Sequence, residues 1–243
     1  MELYRSGNKA RAKPGNRLRL IGATDNQDCD GLEEITTIPG ETLNLINGKL
    51  FDDFGYFVFA PVKKDSDDDE IGPNNTSIIL QARFDVDGED EAVRAFFGGD
   101  AECPVWERIV DRNDDEDLAY DLFLAPHHCS WTFFNANGGD EPSEKVLHLL
   151  GQKRQGAYII ASSKPIKDDD DNPPSYRAME LYVDVVGEDR FLCTGEHPNE
   201  KNPEPIYFTL SKNGLTKSRF SRSNNKATVT VLNNATSSPR TYG

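Results

Sequence analysis

Two stretches of the chain decide its fold: AVRAFFGGDAECP at residues 92–104 and YDLFLAPHHCS at residues 120–130. Each starts as a largely apolar run of strand length and ends in side chains that can carry chemistry, Asp100 in the first and His127 and His128 in the second. Residues that follow buried strands are held rigidly where loops open a crevice, so we predict a functional site at these three side chains. The alternative is that Asp100 caps the next helix and that the histidines are half-buried turn residues.

The rest of the sequence alternates between helix and strand patterns, which predicts an α/β fold. Helices are expected at Cys103–Val110, Ser143–Leu150 and Tyr176–Val186. Strands are expected at residues 18–21, 56–61, 76–82, 92–97, 120–125, 156–161, 191–194 and 206–210, with a hairpin at Asn213-Gly214 and an edge strand at 227–232. The acidic runs Asp65–Glu70 and Asp168–Asp171 repel themselves and are expected to be solvated loops.

The order of these motifs resembles the C-terminal half of the metallo-β-lactamase superfamily, and most closely the hydrolase domain of bacterial DNA-uptake channel proteins. Asn75-Thr76-Ser77 precedes one strand, Gly99-Asp100 follows the next, and Pro126-His127-His128-Cys129-Ser130 follows a third. The resemblance covers roughly residues 75–165. It implies half of an αββα sandwich with a mixed sheet, formed by residues 75–215, between an irregular N-terminal segment at 1–74 and a polar, partly disordered tail at 216–243.

By this resemblance Asp100 is a catalytic carboxylate that bridges two metal ions, and one histidine of the pair, His127 in preference to His128, is a catalytic metal ligand. Carboxylate oxygens and neutral imidazole suit zinc or manganese, and paired ions generate hydroxide and stabilise a leaving oxygen. Hydrogen bonds to the ligands or to the substrate would come from Asn75, Ser77 and Ser130.

The sequence also departs from the superfamily. Its main ligand motif, His-x-His-x-Asp-His, occurs nowhere in the chain, and Cys129 stands where the family has glycine. The other histidines are His148, on a predicted helix, and His197, in a predicted loop. A catalytic zinc normally has three protein ligands and a water, whereas Asp100 and one histidine supply two. We therefore expect weak metal binding by this chain alone. Three explanations of the missing half stay open: the gene begins inside an ancestral domain, a protein partner or a second copy supplies the other half, or the site has been abandoned and the scaffold retained.

Packing leads to the same expectation. The three predicted helices can cover one face of the sheet, and a sheet that is buried on both faces needs a second layer. The other face should leave an apolar patch beside Asp100, unless the N-terminal segment, a second copy or a partner covers it.

Three functions follow from these observations. The first is an incomplete or degenerate metallo-β-lactamase-like hydrolase that acts as a fragment, a subunit or a binding module. The second is an active metal-dependent hydrolase of phosphodiester or other ester bonds, with its remaining ligands supplied by another chain. The third is an interaction protein of unrelated α/β fold, in which the motifs are accidental.

Composition restricts the partners and the compartment. A net charge of −15 argues against a protein that coats nucleic acid, since that binding depends on Lys and Arg. The N-terminus lacks the apolar core of a signal peptide, and no stretch is long and apolar enough to span a membrane. The cysteines Cys29, Cys103, Cys129 and Cys193 form no C-x-x-C pair and are expected to be free thiols. We expect a cytoplasmic protein.

Overall fold

The computed structural model describes residues 19–22, 31–61 and 73–218. Several sequence-based predictions lie outside these residues: the acidic loop at Asp65–Glu70, the edge strand at 227–232, the start of the strand at 18–21 and the thiol of Cys29.

Strands dominate the described part of the chain. They are β1 (Leu20–Ile21), β2 (Thr36–Thr37), β3 (Thr42–Leu43), β4 (Leu45–Ile46), β5 (Lys49–Leu50), β6 (Phe54–Ala60), β7 (Ile79–Val86), β8 (Glu89–Phe97), β9 (Tyr120–Leu124), β10 (Lys153–Ala161), β11 (Phe191–Cys193), β12 (Tyr207–Ser211) and β13 (Gly214–Ser218). Seven of them form one sheet in the order β11-β10-β9-β8-β7-β6-β3. Pairing is antiparallel from β3 to β8 and parallel from β8 to β11, so the sheet is mixed. The prediction of an α/β fold with a mixed sheet is confirmed.

Four right-handed helices accompany the sheet: α1 (Cys103–Arg112), α2 (Asp115–Leu118), α3 (Glu144–Gly151) and α4 (Tyr176–Val186). Pro104 lies in the first turn of α1, where its missing N–H costs nothing. The hydroxyl of Ser175 caps α4 by accepting the N–H of Ala178 at 3.3 Å. The three predicted helices are confirmed. No helix in the described ranges has the length and apolar character to cross a membrane.

One face of the sheet packs under the helices. Phe57, Gln81, Phe96, Phe123, Ile159 and Phe191 lie in one register row and therefore on one face. The ring of Trp106 on α1 packs 6.0 Å from Phe96 and 5.5 Å from Phe123, and Tyr182 on α4 stacks on Phe191. This aromatic layer is the centre of the core, because most of its members are fully buried.

The opposite face is only partly exposed, since Val58 and Ile160 on it are buried. Its register row consists of apolar residues, namely Val58, Leu80, Phe97, Leu124, Ile160 and Leu192. The β12–β13 hairpin crosses the lower part of this face, where the rings of Phe208 and Tyr158 are 5.1 Å apart. At the other end Ile78 is 48 % exposed and Phe97 is 39 % exposed. Two apolar side chains are therefore exposed near Asp100, and the expected apolar patch, or an oligomer that buries it, stays a prediction.

Some element boundaries differ from the sequence-based prediction. Strand β7 begins at Ile79 because residues Pro73–Thr76 form a 3-10 turn. Strand β8 begins at Glu89, directly after Asp87 and Gly88, whose φ values of +54° and +84° are typical of a two-residue hairpin turn. The turn of the last hairpin is Lys212-Asn213, since Ser211 pairs with Gly214. Strands β3 and β6 join the main sheet, although both precede residue 75.

Candidate functional site

Asp100 and His128 lie together at the edge of the sheet where the parallel strands β8, β9 and β10 end. Asp100 follows β8, the histidines follow β9, and Ser162 follows β10. The Nε2 atom of His128 is 3.6 Å from Oδ1 of Asp100, and both side chains are about half exposed. The expected proximity of Asp100 to one of the two histidines is observed, and the histidine concerned is His128.

Two glycines bring the loops after β8 and β9 into contact. A Cβ atom on Gly98 would lie 2.4 Å from Cζ2 of Trp106 and 3.1 Å from Cγ of Pro126. Gly99 has a φ of +54°, and its carbonyl accepts the backbone N–H of His127 at 2.9 Å. A residue without a side chain permits this close approach. The glycines therefore fix Asp100 beside the histidines.

The histidines themselves lie on a left-handed turn. Residues Pro126–Cys129 form one helical turn in which His127, His128 and Cys129 have φ values of 47°, 55° and 70°. This conformation costs an L-residue roughly 1–2 kcal/mol. The backbone N–H of Ser175 donates to the carbonyl of Cys129 at 2.9 Å and helps to hold the turn. Backbone strain of this kind is concentrated at functional sites, because only a surrounding structure that imposes it can keep it.

The hydrogen bond of the His128 ring defines which of its two nitrogens carries the proton and which keeps a lone pair. Nδ1 of His128 is 2.8 Å from the carbonyl oxygen of Ser162. Because a carbonyl can only accept, Nδ1 carries the proton, and Nε2 of the neutral ring has a free lone pair. Nε2 is the atom that faces Asp100. A ring held in this way through Nδ1 is suited to coordinate a metal through Nε2.

A chain of hydrogen bonds holds His127 in the same way. The hydroxyl of Ser130 donates to Oδ1 of Asn172 at 2.8 Å, so it accepts the hydroxyl of Thr132 at 3.0 Å. Oγ1 of Thr132 is then an acceptor for Nδ1 of His127 at 3.2 Å. The free nitrogen of His127 is therefore also Nε2. Ser130 was predicted to hydrogen-bond the ligands or the substrate. In the structure it is linked to His127 through the hydroxyl of Thr132.

Sequence analysis missed Asn172. Its Oδ1 also accepts the backbone N–H of Trp131 at 2.9 Å, which fixes the amide and the chain of hydroxyls that depends on it. Asn172 stands directly before Pro173-Pro174 and after the acidic run Asp168–Asp171. An Asn followed by two prolines is a turn signal that singles out this position, but nothing in it indicates contact with Ser130.

Asn75 and Ser77 both precede β7 and lie near the same edge. Cβ and Oγ of Ser77 lie 3.3 and 3.5 Å from the position that a Cβ on Gly99 would take. Oδ1 of Asn75 is buried and has no hydrogen-bond partner among the described residues. The neighbouring Asn74 amide donates to Oε1 of Glu102 at 3.2 Å and ties this segment to the loop after Asp100. The roles proposed for Asn75 and Ser77 in ligand or substrate binding stay predictions.

An open depression of about 370 Å³ lies beside His128. It is lined by His128, Ser162, Ser163, Lys164, Pro173, Pro174 and Thr194. Lys164 is an exposed cation that pairs with Asp171. The depression therefore combines an imidazole, hydroxyl groups and a positive charge, which together suit an anionic oxygen-rich ligand.

Cys129 packs in the interior of the protein. It is fully buried, and burial together with the nearby Cys193 raises the pKa of its thiol to about 12. A thiol that stays protonated at neutral pH is a poor metal ligand, since the thiolate is the coordinating form. The φ of +70° at Cys129 is one that glycine adopts more readily than other residues.

We expect Cys103, Cys129 and Cys193 to resist alkylation in the folded protein. All three are buried, and burial also raises the pKa of Cys103 to about 11. Iodoacetamide at about pH 8 should modify them at least tenfold more slowly than in guanidinium-denatured protein, as measured by peptide mass spectrometry. Rapid native modification of Cys129 would show instead that its sulfur reaches the site.

The described ranges 19–22, 31–61 and 73–218 contain no group of three or more His, Cys, Asp and Glu side chains that could hold a metal ion. His148 lies on α3, and its Nε2 is 2.7 Å from Oδ1 of Asp115. His197 lies in the bends that follow β11. Among the described residues, Asp100 and His128 at the sheet edge are therefore a pair and not part of a larger group of such side chains.

No family model and no curated protein matches the chain. Among solved structures it is similar to a protein from Parabacteroides distasonis ATCC 8503 described as a "putative metal-dependent hydrolase", with 12% sequence identity and a TM-score of 0.34. The match covers 77% of this chain and 71% of that one. A similarity this low carries no argument about function, which has to come from the chain's own geometry.

Proposed function

We propose that Asp100 and His128 bind a divalent metal ion, zinc or manganese, and that the chain is an incomplete metallo-β-lactamase-like hydrolase. The observation that carries this proposal is the fixed His128 ring, whose Nδ1 donates to the Ser162 carbonyl while Nε2 faces the Asp100 carboxylate. Nothing else in the described chain combines a strained turn, oriented imidazoles and a carboxylate at the ends of parallel strands.

The distance between the two atoms fits a shared ion. Zinc binds imidazole nitrogen and carboxylate oxygen at about 2.0–2.2 Å, so two such ligands in a tetrahedral arrangement lie roughly 3.3 Å apart. The observed 3.6 Å between Nε2 of His128 and Oδ1 of Asp100 is close to this value and longer than a hydrogen bond. The donor set of imidazole and carboxylate also suits manganese.

The residues of the site have separate tasks in this proposal. When bound, the metal lowers the pKa of a coordinated water and polarises an ester oxygen. Asp100 and His128 hold the ion, and the ring of His127, oriented by Thr132, lies 6.4 Å from the ring of His128. Lys164 and the hydroxyls around it bind the anionic group of a phosphodiester or other ester substrate in the depression beside His128. Turnover needs additional ligands, because three protein ligands are usual for a catalytic zinc.

We expect isothermal titration with zinc and with manganese to detect weak binding that Asp100→Asn and His128→Ala each abolish. His127→Ala tests whether the second imidazole contributes. The chain contains a matched control in the exposed His148–Asp115 pair, whose atoms are 2.7 Å apart. His148→Ala and Asp115→Asn should leave the binding isotherm unchanged.

Circular dichroism should show that the variants at His128 and Asp100 stay folded, since both side chains are about half exposed. The proposal is wrong if the wild-type chain binds neither ion at millimolar concentration. It is also wrong if the His148 variant loses binding as fully as the His128 variant.

A further inference from the structure

The chain of hydrogen bonds between His127 and Asn172 has a single direction. The backbone N–H of Trp131 can only donate, and it donates to Oδ1 of Asn172 at 2.9 Å, so this atom is the carbonyl oxygen and not the amide nitrogen. The Ser130 hydroxyl must then donate to the same oxygen, at 2.8 Å. Thr132 donates to Ser130 in turn, which leaves Oγ1 of Thr132 to accept Nδ1–H of His127 at 3.2 Å. Every hydrogen in the chain therefore points from His127 towards Asn172.

This direction decides which nitrogen of His127 carries the ring proton. A hydroxyl partner alone does not fix the tautomer of a histidine, because a hydroxyl can donate as well as accept. Without an acceptor for the Ser130 hydrogen, the hydroxyls could turn so that Thr132 donates to Nδ1, and the ring proton would then lie on Nε2. The Asn172 carbonyl oxygen removes this freedom, since it has no hydrogen to donate. Nε2 of His127 is thereby kept as an acceptor.

Burial and backbone contacts hold the chain of hydroxyls in place. Ser130 is 1 % exposed, so its hydroxyl depends on protein partners and not on solvent. The backbone N–H of His127 donates to the carbonyl of Gly99 at 2.9 Å, directly before Asp100 in the sequence. The position of the His127 ring and the location of its proton are therefore set by separate contacts.

The two histidines differ in what they face. Nδ1 of His128 is held by the carbonyl of Ser162, and its Nε2 faces the Asp100 carboxylate at 3.6 Å. The ring of His127 lies 6.4 Å from that of His128 and is inclined to it by 59°. Both rings thus keep a lone pair on Nε2, but by different partners. Separate mechanisms for holding two adjacent rings in one tautomer indicate separate tasks.

We infer that His127 is a hydrogen-bond acceptor of the site, through Nε2, and that Asn172 is its positioning residue. This inference rests on the proposed function, since it assigns His127 to orient a group beside the ion that Asp100 and His128 hold. The group that it orients is an O–H or N–H donor, such as water or a substrate hydroxyl, because a lone pair can only accept. Asn172 acts on that group through Ser130, Thr132 and His127.

Nuclear magnetic resonance of the full chain tests this, with 15N in the histidines and EDTA in the buffer. Long-range 1H–15N correlation distinguishes the two neutral tautomers at about pH 9, where a free imidazole is neutral. His127→Ala identifies the signals of His127. We expect the Nδ1–H form in the wild type. Asn172→Ala and Ser130→Ala should each change the ratio of tautomers towards Nε2–H by about tenfold, which corresponds to roughly one lost hydrogen bond.

A conservative variant and two controls separate positioning from a structural effect. Asn172→Asp should keep the Nδ1–H form of His127, because a carboxylate can only accept. His128 is the internal control, since the Ser162 carbonyl holds its tautomer and no variant should change it. Asn113→Ala is the matched control, because that amide donates to the Ile109 carbonyl at 2.7 Å, at the end of α1, and the His127 tautomer should stay as in the wild type.

Titration with zinc and manganese separates the inference from the proposed function. We expect His127→Ala and Asn172→Ala to bind the ions as the wild type does. Loss of binding in His127→Ala would make Nε2 a metal ligand and overturn the inference while the proposed function stands. An Nε2–H tautomer of His127 in the wild type, or one that Asn172→Ala leaves unchanged, would also overturn it. A chain that binds neither ion but shows the expected tautomers would overturn the proposed function and leave Asn172 as the residue that positions His127.

Discussion

Replacing Asp121 by alanine is expected to lower the free energy of unfolding by about 1–3 kcal/mol. The carboxylate is almost fully buried, accepts the backbone N–H of Arg94 at 2.8 Å and lies 3.4 Å from a guanidinium nitrogen of Arg154. Removing it leaves a buried N–H without its acceptor and takes one counter-charge from Arg154, whereas the guanidinium of Arg94 keeps its pairs with Glu91 and Glu116. Chemical denaturation monitored by circular dichroism at neutral pH measures the loss.

Asp121→Asn is the matched variant. Its side-chain oxygen can still accept the Arg94 N–H. Burial raises the pKa of the Asp121 carboxyl, so the folded protein disfavours the charge, and we expect its loss to cost less than about 1 kcal/mol. An exposed pair such as Lys145–Asp111, at 2.7 Å, provides the reference, and Asp111→Ala should change stability by less than about 1 kcal/mol. If Asp121→Ala lowers the free energy of unfolding no more than Asp111→Ala does, then the contacts of the buried Asp121 carboxylate stabilise the protein no more than the exposed Lys145–Asp111 pair.

The role of Asp121 could not be predicted from the sequence. Its position as the one charged residue in the run Tyr120–Leu124 is visible, and such a residue needs a partner if it is buried. The partners, however, come from β8 and β10, and which residue of a neighbouring strand lies opposite depends on register. The sequence therefore shows that Asp121 needs a partner, but only the strand pairing shows which residues those partners are.

The candidate site was predictable to the extent that strands position it. Asp100 and the histidines each follow a buried strand, and the ends of parallel strands meet at one edge, which is how the sequence predicts that they are neighbours. The left-handed turn and the ring orientations were not predictable. They depend on the carbonyl of Ser162 and on Asn172, which lies 42 positions from Ser130. Preference for His127 over His128 as the ligand stays a prediction.

The ends of strands β7 and β8 also could not be predicted from the sequence. Asp87-Gly88 is a strong hairpin signal that joins β7 to β8, yet the sequence-based strands end at residue 82 and begin again at 92. The charged residues Arg83, Asp85, Glu89 and Asp90 make the ends of these strands look like a loop. In the structure the guanidinium of Arg83 packs 4.1 Å over the ring of Phe57, and Asp85 accepts the backbone N–H of Glu91 at 2.7 Å, so polar residues extend the strands without breaking them.

The second large effect is expected at Gly98, where Gly98→Ala should lower the free energy of unfolding by about 3 kcal/mol. The new Cβ would lie 2.4 Å from Cζ2 and 3.0 Å from Cη2 of Trp106. That indole cannot move away, because it is fully buried between the rings of Phe96, Phe123 and Phe133, and its Nε1 donates to the carbonyl of Ala101 at 3.1 Å. Thermal unfolding measures the change.

Gly98→Ala should also weaken metal binding, since the Cβ would press on Pro126, which begins the histidine turn, at 3.1 Å from its Cγ. The matched control is Gly151→Ala, because a Cβ there meets nothing within 4 Å and alanine is the better helix former at the end of α3. That variant should retain full stability and full metal binding. A Gly98→Ala protein that is destabilised but binds metal as the wild type does would show that the loop after β8 adjusts independently of the core beneath it. Equal loss in both measurements would show that the packing of Trp106 sets the distance between Asp100 and His128.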